Sequence, residues 1–112
     1  MKLTMGACGI LFPGDIQTGA EEELVECCRS DLLSHILVAP HHGSKTSSSV
    51  DFLEAVRPEI VIISAGWQNR FGFPHPNVLE RYNAMAARIY RTDSRGAISL
   101  RTDGSQWLVN TE

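Results

Sequence analysis

The 112-residue chain is poor in cysteine, with three, and none of them forms a CxxC pair. Cys8, Cys27 and Cys28 make an odd count with two neighbours. That argues against a disulfide framework or a zinc knuckle and for a reducing or cysteine-tolerant setting. All three read as small buried hydrophobes. No stretch approaches the ~20 apolar residues that a membrane span needs. No leader of charged, then apolar, then small residues is visible at the start. Basic charge gives no excess either: 10 Lys and Arg stand against 13 Asp and Glu, for a net charge of -3. No global field therefore draws the chain to a polyanion, and any DNA contact has to be local.

What is present is a globular pattern. The hydrophobic fraction is 43%, in the range of a packed domain rather than a disordered chain. The run "LTMGACGILF" (3–12) predicts a strand that ends at the Pro13-Gly14-Asp15 turn. In "TGAEEELVECC", Thr18 and Glu21 stand at capping-box spacing and Ala20, Leu24 and Cys27 or Cys28 form an apolar stripe, so a helix follows. "HILVAP" (35–40) and "EIVIISAG" (59–66) read as buried strands. Between them "SSSVDFLEAVRP" reads as a helix, with Ser48 and Asp51 at its start and Pro58 as its stop. A third helix begins near Pro76, and 88–92, 97–102 and 105–110 read as strands. The predicted class is α/β, order β-α-β-α-β-α-β-β-β, as one unit over 1–112 with a largely parallel sheet.

In such sheets functional groups gather at the carboxyl ends of the strands. Asp15 follows the first strand, His41 and His42 the second, and the 67–75 loop with His75 the third. A carboxylate with imidazoles is a donor set for zinc, manganese or iron. Asp15 could bridge two ions while one histidine ligates and the other orients it, which is the chemistry of hydrolysis by metal-activated water. Each residue also has a plainer reading: an Asx turn for Asp15, turn-capping and exposed positions for the histidine pair, and a residue before the Pro76 helix for His75. His35, inside a strand, reads as structural.

The segments "FPGDIQTGAEEEL", "VAPHHGSKTSSSVDFLEAVRPEIVIISAGWQNRFGFPHPNVLERY" and "ARIYRTDSRGAISL" resemble successive motifs of the metallo-β-lactamase-like domain of ComEC-type competence proteins, across roughly 10–101. The resemblance implies an αββα sandwich, a site for one or two divalent metals (Zn or Mn), and a nuclease acting on DNA during uptake. It implies Asp15 as the bridging aspartate, one of His41 and His42 as the last histidine ligand, and Asp15 with His42 as the catalytic pair. It places Ser44, Lys45, Thr46 and Ser47 on the same rim, with His75 on a neighbouring loop. It also implies a parent protein in a bacterial inner membrane, although this stretch carries no span.

The HxHxDH-type motif that opens the superfamily's ligand set is absent from the chain. The chain therefore resembles the carboxyl-terminal half of the domain, with an incomplete ligand set and no complete two-metal site of its own. A half-sandwich predicts one bare apolar sheet face, and with it a homodimer or pairing with the missing amino-terminal half. Ser44, Lys45, Ser47, Arg70 and His75 are the candidate substrate-binding residues. Ser47 to Ser49 open a helix whose amides suit an anion, and Trp67 and Phe71 either pack their own loop or stack on bases. Three functions follow: part of a metal-dependent DNA phosphodiesterase of an uptake protein, a non-catalytic interaction or dimerisation module, or a lactonase-like hydrolase of small molecules.

Overall fold

A computed structural model describes residues 1–111. Its elements are β1 Lys2–Met5, β2 Cys8–Leu11, α1 Thr18–Cys28, β3 Ile36–Val38, α2 Val50–Val56, β4 Ile60–Ile63, α3 Pro76–Ala84, β5 Arg88–Arg91, the single-turn α4 Thr92–Arg95, β6 Ile98–Thr102 and β7 Trp107–Thr111. Strands β1 to β5 form one sheet in sequence order; β6 and β7 form a separate two-stranded sheet. Pairing is parallel from β2 to β5 and antiparallel between β1 and β2. The fold is thus mixed α/β, and every crossover between the parallel strands carries a helix.

The first predicted strand is two strands. Gly6, at φ 56°, turns the chain between β1 and β2. Ala7 N–H donates to the Gly104 carbonyl at 2.9 Å, so this turn also meets the β6–β7 turn. The uniformly apolar run hides the turn, because its pattern does not change across it.

Alternation along the strands divides two cores. Leu11, Leu37, Val61 and Ile63 face the helices and pack with Phe52, Leu53, Val56, Val78 and Tyr82. Ile10, Ile36, Ile60 and Ile62 point the other way, where Ile98, Leu100, Trp107 and Val109 of the β6–β7 hairpin pack against them. This corrects the expected bare face: those four isoleucines are no more than 8% exposed. Burying that much apolar surface removes the drive on which the expected self-association rested. The apolar side chains left open lie mainly at edges and loops, Leu3 and Met5 on β1 among them.

The cysteines also differ from expectation. Cys8 is buried, but Cys27 is exposed at the end of α1, where it is joined to Cys28 by an adjacent-residue disulfide. The last turn of α1 faces solvent rather than the sheet, so the apolar stripe continues through Leu24 and Val25 only.

Candidate functional site

The carboxyl ends of β2, β3, β4 and β5 lie along one edge of the sheet, because these strands run parallel. A cleft of about 680 Å³ opens there, lined by Asp15, His41, His42, Ser64, Phe71 and Phe73 among others. The predicted convergence of the Gly-Asp and His-His segments is therefore present. Their backbones are joined directly, with His41 N–H donating to the Gly14 carbonyl at 2.9 Å.

His42 is held from one side. Its Nδ1 lies 2.8 Å from the Ser64 carbonyl. A carbonyl oxygen only accepts, so Nδ1 carries a proton, and in the neutral imidazole this leaves the lone pair on Nε2. Nε2 faces Asp15 Oδ1 at 3.6 Å. Histidines that ligate metals are commonly fixed through their second nitrogen in this way, and so are histidines with a purely structural role. The Ser64 contact distinguishes the two histidines, which the sequence leaves equivalent. His41 turns its ring toward Phe73, 5.8 Å away, and its buried Nδ1 has no hydrogen-bond partner.

His41 and His42 both sit in left-handed backbone, at φ 50° and 56°, and so does Ser48 at 57°. Non-glycine residues adopt this region at a cost, and it persists where the surroundings over-determine it. The surroundings here do so. Ser47 is buried and its hydroxyl lies 2.9 Å from the Pro40 carbonyl and 2.8 Å from that of Ser44. Gly43, at φ 82°, is docked under the Pro-His-Pro segment: His75 N–H donates to its carbonyl at 2.8 Å, and a Cβ here would lie 2.6 Å from Pro74 Cβ. Only glycine fits that combination of angle and contact.

The serine cluster is shaped by Glu21. This carboxylate is fully buried and accepts from Ser48 N–H at 2.6 Å and Ser49 N–H at 2.8 Å. Ser48 and Tyr82 share a hydroxyl–hydroxyl bond of 2.6 Å. Arg81 donates to the Ser47 and Ser48 carbonyls, and Thr18 Oγ1 to that of Thr46. Burial, opposed in part by the Ser48 hydrogen bond, pushes the Tyr82 phenol up to about 12.

Several assignments change accordingly. Glu21 is not the reciprocal partner in a Thr18 capping box; α1 is capped at Gln17, with no side-chain bond. The cap of α2 is Ser49, whose hydroxyl accepts from Phe52 N–H, rather than Ser48. The amides expected to hold an anion are occupied by Glu21. Ser44 and Ser47 are buried with their hydroxyls bonded inside the loop, so neither faces the rim. His75 caps α3, accepting from Asn77 N–H through Nδ1, and stands outside the cleft lining. Lys45 is exposed, and Arg70 lies over the Phe71 ring with 5.0 Å from guanidinium carbon to ring centre. His35 is structural as expected: its Nδ1 accepts from Gly9 N–H, joining β2 to β3.

Residues that the sequence does not announce complete the edge. Asn69 fixes the 66–73 loop: its Nδ2 donates to the Gly66 and Phe73 carbonyls and its Oδ1 accepts from Phe73 N–H. Thr92 bonds both Ala65 N–H and the Ala65 carbonyl, holding the chain just after β4 against the end of β5. Next to it, Arg91 and Asp93 form a two-bonded ion pair at 2.7 and 3.0 Å, which holds the Asp93 carboxyl below its usual range. An Asn or Thr in a polar stretch gives no signal of such a role, since the partner is set by the fold.

Asp15 and His42 present two converging donors of the kind a divalent metal takes. Among the described residues no group of three or more His, Cys, Asp or Glu is placed to hold an ion. The donor set suits one side of a metal site and falls short of a closed one.

No family model matches the chain. Curated relatives do. Over 98 residues it is 40% identical to Competence protein ComA of Neisseria gonorrhoeae, which takes in 88% of this chain and 14% of that protein. Over 96 residues it is 33% identical to ComE operon protein 3 of Bacillus subtilis, 86% of this chain and 12% of that protein. Over 93 residues it is 41% identical to Recombination protein 2 of Haemophilus influenzae, 83% of this chain and 11% of that protein. The chain thus spans between 11% and 14% of the length of these relatives and is similar to one short segment of ComEC-type competence proteins.

Proposed function

We propose that the chain is the carboxyl-terminal part of a metallo-β-lactamase-like domain that hydrolyses DNA phosphodiesters within a competence, or DNA-uptake, protein. The observation that carries this reading is His42. Its Nδ1 is tied to the Ser64 carbonyl and its Nε2 is aimed at Asp15, at the carboxyl edge of a parallel sheet. Asp15 and His42 would hold the metal, and His41, adjacent in the same strained turn, would pack against Phe73 and support it. A bound Zn or Mn supplies an activated water and a positive charge toward a phosphate oxygen. The chain's own residues orient the donors: Gly14 and Gly43 fix the two turns, and Ser64 sets the His42 tautomer. Lys45 is exposed beside the turn and contributes charge toward phosphates without reading bases.

The remaining ligands would come from an amino-terminal half carrying the HxHxDH-type motif. The test is a nuclease assay on a protein that joins that half to this chain. DNA cleavage in Zn or Mn is expected, lost in His42→Ala, whereas Lys45→Ala mainly weakens binding in a salt-dependent way. Cleavage untouched by His42→Ala contradicts the assignment. One observation favours a second reading, a non-catalytic interaction module: only two donors converge among the described residues. Absence of cleavage on any DNA by the joined protein would select it.

A further inference from the structure

The 66–73 loop has a surface that the hydrolytic reading does not use. Trp67 is 75% exposed and Phe71 63% exposed. Asn69 shapes the loop through three hydrogen bonds, and Phe71 packs only against its loop neighbours Phe73 and Arg70, leaving most of its surface open. Phe71 and Phe73 stack with ring centres 5.5 Å apart and planes 20° apart. Phe73 and His42 continue the row at 6.4 Å and 15°. The Arg70 guanidinium lies over Phe71. Phe71, Phe73 and His42 thus form a row that leads from solvent to the imidazole that the proposed function assigns to the metal, and Trp67 stands exposed on the same loop outside that row.

We propose that this row is a stacking platform for unpaired bases, so that the polymer entering the cleft is single-stranded nucleic acid. The inference rests on the DNA-hydrolase reading and specifies its substrate. Exposed aromatic rings with an adjacent guanidinium gain from the faces of bases. A duplex hides those faces in its own stack and offers phosphates and groove edges. The net charge of -3 gives this chain no general attraction to phosphates, so a surface that binds the polymer needs a contribution that does not depend on charge. Base stacking is one, and it accepts any sequence.

The experiment is fluorescence anisotropy with the chain in excess chelator, so that no metal-dependent step enters. Three labelled probes of equal length are compared: an oligothymidylate strand, an abasic strand and a duplex. The thymidylate should bind about tenfold more tightly than the abasic strand, and more tightly than the duplex. Phe71→Leu and Trp67→Leu keep apolar bulk but remove the rings, and each should bring thymidylate toward the abasic value. Circular dichroism should show both variants folded, since both side chains are exposed. Equal binding of abasic and thymidylate strands, tighter binding of the duplex, no binding of any probe, or no effect of either substitution overturns the platform. These outcomes are separable from the hydrolase reading. Cleavage by the joined protein with no base-dependent binding sinks the platform alone; base-dependent binding without cleavage counts against hydrolysis alone.

Discussion

Two loops meet at the cleft and are held in opposite ways. Residues 40–49 are fastened from many sides: Glu21, Tyr82, Arg81, Thr18, Gly14 and the His75 amide all engage them. Residues 66–73 hang on Asn69 and leave Trp67 and Phe71 in solvent. The first loop carries left-handed backbone at three non-glycine residues, His41, His42 and Ser48, against one, Gln68, in the second, and so needs the more support. The second carries no comparable set of partners and presents rings instead. In the proposed reading the fastened loop places His42 against Asp15 and the open loop meets the polymer.

Glu21→Ala should break the fastened loop most severely. It strips one buried and one half-buried amide of a carboxylate acceptor, each such bond being worth about 1.5–3 kcal/mol. A loss of about 3 kcal/mol or more in urea unfolding is expected, with Glu21→Gln intermediate because its amide nitrogen cannot accept. Gly43→Ala comes next: the new Cβ meets Pro74 and the φ of 82° disfavours it, so about 2 kcal/mol should be lost, together with metal binding.

Tyr82→Phe removes one buried hydroxyl bond and should cost about 1 kcal/mol at neutral pH. Its pH dependence sharpens the point. The folded phenol is raised from 10.0 to about 12, so the unfolded chain loses its proton first. Stability should be fully present below pH 10 and fall as pH rises toward about 12, by about 2–3 kcal/mol in all. That component of the decline should be absent in Tyr82→Phe. The smallest effect belongs to the open loop. Asn69→Ala should lower global stability by less than about 1 kcal/mol, since the loop is exposed, yet make 66–73 a preferred site of limited proteolysis.

The contrast also separates what the sequence makes legible. The positions of the buried strands, though not their ends, the Pro76 helix start and the meeting of Asp15 with the histidine pair follow from apolar runs and turn residues, which are local signals. The turn at Gly6 is masked by apolar residues on both sides. The role of Glu21 depends on amides 27 and 28 positions away, and the choice of His42 on a carbonyl 22 positions away. Three serines in a row offer the α2 cap three equal candidates, and only the fold selects Ser49. The cover of the second sheet face by β6 and β7 is likewise a long-range event. Half of a sandwich has a bare face unless a hairpin folds back over it, and here β6 and β7 do so.

The most direct test of the central claim is calorimetric titration of the chain with Zn and Mn. Weak binding is expected, below that of a four-ligand site, and it should disappear when Asp15 and His42 are both replaced by alanine. A double variant that binds metal as tightly as the parent would contradict that claim.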